Sequence, residues 1–377
     1  MNKFELKSPQ DIEDFLTGCA FFGTGGGGSV ENGRVSLNLA LDKGYSLTLT
    51  SPDDIEDDVL YCSAFFMGSI APKSPQILKE MEQNGFRERK YCYHEMLVQA
   101  VRNLEQYLGK KMSGLLVVEL GGSNSACCMA AAYEMGIPVI DADFTGRAVP
   151  EMTHGLPAIM GKSCLPASYV DSWGNSNLTT SAFGYTAMER IGKMLSEASY
   201  GEMAEAAYAL NGREMRQILV PHTLSQSLKV GQCIRKALEN DNNPCLAGAM
   251  AAGGALLGKF RISSVIAENR DGYYWGTYEL EGLDDCENKT YKIWFKNENH
   301  VLWENERPIA TSPDMIVLLN WRTGAPISNT YLCVDEEVGI IIVPARDQYL
   351  SQQAIASFGP RAFGFDFDYE PYKKIIR

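Results

Sequence analysis

A chain of 377 residues, 45% hydrophobic and 21% charged, has an ordinary globular composition, which excludes intrinsic disorder, and its length suggests two domains rather than one core. Its 34 basic and 47 acidic residues give a net charge of -13 with no Lys/Arg-rich run, which argues against nucleic acid as a partner. No stretch is long and apolar enough to span a bilayer, and the opening MNKFELKSPQDIEDFL lacks the apolar core of a signal peptide, so a soluble cytoplasmic protein without a membrane partner is expected.

Ser8, Pro9 and Asp11 form a helix-start signature, and Ile12, Phe15, Leu16 and Cys19 follow at helical spacing up to a stop at Gly23. The loop GTGGGG at residues 23–28 matches G-x-G-x-x-G in form. It follows a helix rather than a strand, and Ser29 stands where a phosphate-binding loop carries lysine, so neither a dinucleotide nor a P-loop site is expected. Such a loop is either a tight turn with close backbone approach or a nest of N–H groups for an anion, formed by Gly25, Gly26, Gly27 and Gly28.

Residues 46–50 and 59–66 read as strands, and residues 76–84 and 94–108 as helices. Residues 115–120, 124–134 and 138–141 then read as strand, helix and strand, normally a parallel, right-handed unit. Ligands of open α/β sheets sit beyond the carboxyl ends of such strands, so Glu119 and Asn124 are expected to share a crevice with Asp141, Asp143, Arg147 and Glu151. Residues 182–240 read as helical. From there the period changes to two, with hairpin signals at Arg270-Asp271-Gly272 and Asn297-Glu298-Asn299. The tail from 351 to 377 reads as a short helix and an aromatic closing segment. The expected architecture is α/β: a layered α/β domain over 1–167, then a domain over 168–377 with helices at about 182–240 and a β-rich, barrel- or sandwich-like part at about 256–345.

Asp141, Asp143 and Glu151 are the candidate acid and base, because neighbouring carboxylates drive each other's pKa apart. Glu119 interrupts an apolar strand and could activate water, orient Arg147 or cap the next helix. Arg147 could grip a substrate carboxylate, and Asn124 could donate to a developing negative charge or serve as a helix cap. His94, His154, His222 and His300 are too dispersed for a recognisable metal motif, which leaves the metal and cofactor unassigned, with Asp141, Asp143 and His154 as one open combination. The ten cysteines, Cys127 and Cys128 among them, fit a reduced compartment and core packing better than nucleophilic work.

The strings LTGCAFFGTGGGG, ELGGSNS and PVIDADFTGRAVPEM, in this order, resemble the family once labelled domain of unknown function 917, now S-methyl thiohydantoin desulfurase. The resemblance implies two domains and hydrolysis of a C–S bond on a five-membered imidazolone ring, giving a hydantoin and methanethiol. The sequence departs from the family pattern at Ser29-Val30-Glu31. The expected partners are a small-molecule substrate and further copies of the chain. A non-catalytic companion of a hydantoinase is the alternative.

Overall fold

The computed structural model describes residues 4–69, 71–201 and 203–372. Helix α1 (Pro9–Phe22) starts as the sequence predicts, with the Ser8 hydroxyl accepting from the Asp11 amide at 3.2 Å. Its buried stripe carries Ile12, Phe15, Leu16 and Cys19. Helix α2 (Val30–Asp42), capped by Ser29, follows the glycine loop. Strand β1 (Leu60–Met67), helices α3 (Pro75–Gln83) and α4 (Tyr93–Leu108), strand β2 (Met112–Leu116) and helix α5 (Asn124–Met135) complete the first run.

Strands β3 (Ala167–Asp171) and β4 (Ser176–Thr179), helix α6 (Tyr185–Ala198) and strand β5 (Met203–Asn211) close a five-stranded sheet of order β2-β1-β5-β3-β4. Only the β1/β2 pair in it is parallel.

Three expectations change here. Residues 182–240 are not one helical region, because β5 runs through the middle of the sheet. Its sequence MAEAAYALN is rich in alanine and reads as helix former, but burial between β1 and β3 decides the conformation. The sheet therefore continues past residue 167. The strand expected at 138–141 shrinks to isolated parallel bridges, Leu115 with Val139 and Thr50 with Ile140, and Ala142–Asp143 turns away to pair with Val220–Pro221. Residues 46–50 likewise supply only the short strand Leu47–Thr48.

Helix α7 (Thr223–Glu239) lies against α1. A Cβ on Gly18 would stand 1.7 Å from the Ser227 carbonyl oxygen, and one on Gly231 1.7 Å from that of Asp14, so the two backbones touch where both side chains are absent. Arg235 on α7 ties the Asp14 carboxylate at 2.8 Å. After helix α8 (Pro244–Ala251), strands β6 (Ala255–Arg270), β7 (Tyr273–Gly282), β8 (Thr290–Lys296), β9 (Glu298–Glu304), β10 (Arg307–Thr311), β11 (Met315–Asn320) and β12 (Glu337–Val343) form one antiparallel sheet. Its order is β10-β9-β8-β7-β6-β12-β11.

The sheet curls, and Asn299 on β9 reaches across it: its amide donates to the Ile316 carbonyl at 3.1 Å and accepts from the Tyr278 hydroxyl at 3.1 Å. Strands β11 and β12 are a wall common to both halves. Met315, Val317, Leu319, Ile341 and Val343 face the helices of the first half, while Ile316, Leu318, Ile340 and Ile342 face the curled sheet's own core. Helix α9 (Gln352–Phe358) follows the last strand, and residues 373–377 of the expected closing segment lie outside the described residues. Among the described residues, no helix is long and apolar enough to cross a membrane.

Candidate functional site

A cavity of about 980 Å³ opens between the two halves, lined by the glycine loop, the turn after β2, the middle of α6 and the β8/β9 turn. Glu119 stands on its wall, three residues past the end of β2. Both its oxygens are held: Oε1 accepts from Asn124 Nδ2 at 2.7 Å, and Oε2 accepts from the Val149 amide at 2.7 Å. Asn124 is itself fixed, because its Oδ1 accepts from the Phe66 amide at 3.1 Å. Burial pushes the Glu119 carboxyl up to about 7, with the Asp143 charge adding to the rise and the two N–H donors opposing it. A carboxylate that titrates near neutrality and faces a cavity is suited to proton abstraction.

The glycine loop closes one side. Gly25, Gly27 and Gly28 have φ of 96°, 77° and 79°, and a Cβ on Gly27 would lie 2.5 Å from the Gly121 Cα. The Gly27 carbonyl accepts from the Ser123 amide at 3.2 Å, so the loop is stitched to the start of α5. Among the described residues, no protein oxygen accepts from the amides of Gly27 and Gly28, both of which line the cavity. The close backbone approach expected from sequence is therefore a feature of this loop.

Glu298 fits beneath it: a Cβ on Gly26 would stand 1.9 Å from Glu298 Oε1. Its Oε2 is buried without a partner, and burial together with the nearby Glu119 charge pushes its pKa well above the usual carboxylate range, which favours the protonated form.

Glu151, Glu189 and Lys193, which also line the cavity, belong to a charged cluster. Lys193 on α6 is buried, donates to the Gly68 carbonyl at 3.0 Å and lies 3.7 Å from Glu189. Lys193 Nζ and Lys296 Nζ stand 4.2 and 4.0 Å from the centre of the Tyr273 ring. The Tyr273 hydroxyl donates to Glu189 Oε1 at 3.0 Å, and the other Glu189 oxygen accepts from the Met152 amide at 2.9 Å. Glu151 pairs with Lys296. Burial alone would raise the Glu151 carboxyl, but the Lys296 charge and hydrogen bonds from Lys296 and Thr153 outweigh it, so its pKa falls below the usual value.

Of the residues singled out in the sequence, Glu119, Asn124, Glu151, Gly25, Gly26, Gly27 and Gly28 line this cavity. Asp141, Asp143 and Arg147 do not. Asp141 holds the start of α7, accepting from the Ser225 amide at 3.0 Å and the Ser225 hydroxyl at 2.7 Å, with His222 Nδ1 at 3.3 Å. Asp143 is fully buried, accepting from the Gly146 amide at 2.8 Å and the Thr145 hydroxyl at 3.0 Å, and it fixes the turn at Gly146. Asp141 precedes, and Asp143 ends, a strand of only two residues that pairs with Val220–Pro221 and does not carry them to the cavity.

Arg147 is buried too, and its donors are taken. Nε bonds the Ala148 carbonyl, Nη1 the Asp314 carbonyl at 2.9 Å, and Nη2 the Thr24 hydroxyl and Asn299 carbonyl at 3.1 Å each. It fastens the glycine loop to the curled sheet and has no group to offer a substrate carboxylate.

His154 lies against the Phe358 ring at 5.0 Å, and burial lowers its pKa to about 4. Among the described residues, no three His, Cys, Asp or Glu side chains gather as metal ligands, so Asp141, Asp143 and His154 do not form a site. Cys127 and Cys128 are buried, and burial pushes their thiols up to about 11 and 12, so they serve as packing residues.

Glu298, Lys193, Glu189, Tyr273 and Lys296 were not singled out from the sequence. Glu298 sat in what looks like an exposed hairpin turn, and Glu189 with Lys193 looks like a surface i, i+4 pair. The one available signal was that Glu189 and Lys193 share a helix face with Met188 and Gly192.

Comparison with known proteins gives a consistent picture. A family model described as S-Me-THD-like, N-terminal domain, matches residues 10–181, and one described as S-Me-THD-like, C-terminal domain, matches residues 184–372. The chain is similar in fold to a protein from Chromobacterium violaceum whose X-ray crystal structure is known. The TM-score is 0.76 and the identity 21%, over 98% of this chain and all of that one. No curated protein matches the chain.

Proposed function

Because the chain belongs to the S-Me-THD-like family across both of its domains, we propose that its cavity hydrolyses the C–S bond of an S-methyl thiohydantoin, releasing a hydantoin and methanethiol. The observation that carries this reading is Glu119, a buried carboxylate on the cavity wall, fixed by two N–H donors and titrating at about 7. In its ionised form it takes a proton from water as the water oxygen bonds to the ring carbon between the two nitrogens. Neutral Glu298 gives a proton to the ring nitrogen that gains electron density. The open amides of Gly27 and Gly28 face the negative charge that develops there. Collapse restores the carbonyl, breaks the C–S bond and leaves the electron pair on sulfur. Both water protons are accounted for: one ends on the thiol, and the one taken by Glu119 passes to Glu298, replacing the proton that Glu298 gave to the ring nitrogen. The cavity volume suits a small ring with a side chain, being at the upper end of the roughly 300–1,000 Å³ usual for small-molecule sites.

The test is the purified protein with a panel of S-methyl thiohydantoins, following thiol release with a thiol reagent and the hydantoin by mass spectrometry. Stoichiometric release of both supports the reading. Thiol release only after addition of a hydantoinase, or none from any member of the panel, overturns it.

A further inference from the structure

We propose that Lys193 is the proton donor to the departing sulfur, an assignment that rests on the hydrolytic reading above. Methanethiolate is more basic than an arylthiolate, so protonation as the C–S bond breaks assists its departure, and neither Glu119 nor Glu298 has this task. Lys193 is buried, lines the cavity and carries its ammonium where it is held from three sides: the Gly68 carbonyl at 3.0 Å, Glu189 at 3.7 Å and the Tyr273 ring at 4.2 Å. Glu189 and Tyr273 are positioning residues, since they bond each other at 3.0 Å and Glu189 is further fixed by the Met152 amide.

The surroundings suit an S-methyl group. Phe65, Phe144 and Tyr208 line the cavity and pack on one another, with the Phe65 and Phe144 rings 6.2 and 5.2 Å from Tyr208. They give the cavity that Lys193 also lines an apolar surface, which a thioether requires. Burial lowers the Lys193 pKa and the nearby Lys296 charge lowers it further, while the Glu189 and Glu151 carboxylates oppose the fall. That brings the ammonium closer to releasing a proton at neutral pH. The step balances: the Nζ proton passes to sulfur as the C–S electron pair leaves, and the hydroxyl proton freed when the carbonyl forms returns to the Lys193 amine.

The test is a leaving-group series, run on the wild type and on Lys193→Arg and Lys193→Met. Arginine keeps the charge but does not give up its proton. With the methylthio substrate both variants should lose about 100-fold or more in kcat. With a nitrophenylthio substrate, whose thiolate leaves without protonation, the loss should stay below about tenfold. Equal losses with both leaving groups, or an unchanged methylthio rate, overturn the assignment while leaving the hydrolysis standing. Should either variant fail to fold, the wild type still decides. Rates nearly independent of thiol acidity across the series support a proton donor at sulfur, and a steep rise with acidity contradicts one. A wild type that releases no thiol from any substrate removes the hydrolytic reading and this assignment with it.

Discussion

Glu119 and Arg147 are both charged side chains taken out of water, and their partners give them opposite parts. Arg147 spends its N–H groups on protein acceptors from the glycine loop and from β9 and its neighbours. Arg147→Met strands several buried acceptors and should lower stability by about 2 kcal/mol or more, read by urea unfolding. An unchanged midpoint and slope would contradict that role.

Glu119 keeps its acceptors half satisfied and its pKa near 7. Its ionisation is easier in the unfolded chain, where a glutamate titrates at about 4.3. Below that value both states hold the proton and the group is neutral to stability. Between about 4.3 and 7 the unfolded state alone gives it up, so stability falls as pH rises, and above 7 the loss is constant. Glu119→Gln removes this titration. The variant should therefore gain on the wild type between pH 4.5 and 7.5 by an amount on the order of 3 kcal/mol, read as the difference in unfolding free energy at the two pH values. A difference that does not change with pH would contradict the raised pKa.

At the scale of elements, the glycine loop depends on a backbone approach that a side chain forbids. Gly27→Ala places a methyl 2.5 Å from the Gly121 Cα at a φ of 77°, both unfavourable. It should lower stability by about 1 kcal/mol or more and weaken substrate binding by moving the Gly27 and Gly28 amides. Wild-type thermal stability together with wild-type KM would contradict the arrangement.

Elements with a single strong signal were legible in the sequence. Pro9–Phe22 carries a cap, a proline and an apolar stripe, and the curled sheet announces itself by alternation. Strand Met203–Asn211 was not legible, because its alanines speak for helix and only its two neighbours make it a strand. The same limit hid part of the site. Asn297-Glu298-Asn299 has the composition of an exposed turn, yet the first half of the chain covers it, and nothing local announces that cover. Glu119 was legible because a carboxylate in an apolar run is unusual on its own. Asp141 and Asp143 carried the same local oddity, but their strand is two residues long, and the backbone turns them onto Ser225 and Gly146 instead of the cavity.

At the scale of the whole molecule, the two halves are interleaved rather than adjoined. Strand Met203–Asn211, from the C-terminal half, pairs with Leu60–Met67 on one side and Ala167–Asp171 on the other. Helix Thr223–Glu239 packs on Pro9–Phe22 through paired glycines. A fragment ending at residue 181 lacks the middle of its own sheet, so it should show no cooperative unfolding by circular dichroism; a sharp two-state transition would contradict the interleaving. The cavity follows from the same arrangement, since Glu119 comes from the first half and Glu298 and Lys193 from the other. The most direct measurement is methanethiol release from an S-methyl thiohydantoin as a function of pH, by the wild type and by Glu119→Gln. The account predicts a wild-type kcat/KM that rises with pH through a midpoint at about 7, and a folded variant slower by about 100-fold or more with that rise abolished. A variant that matches the wild type in rate and pH dependence would contradict it.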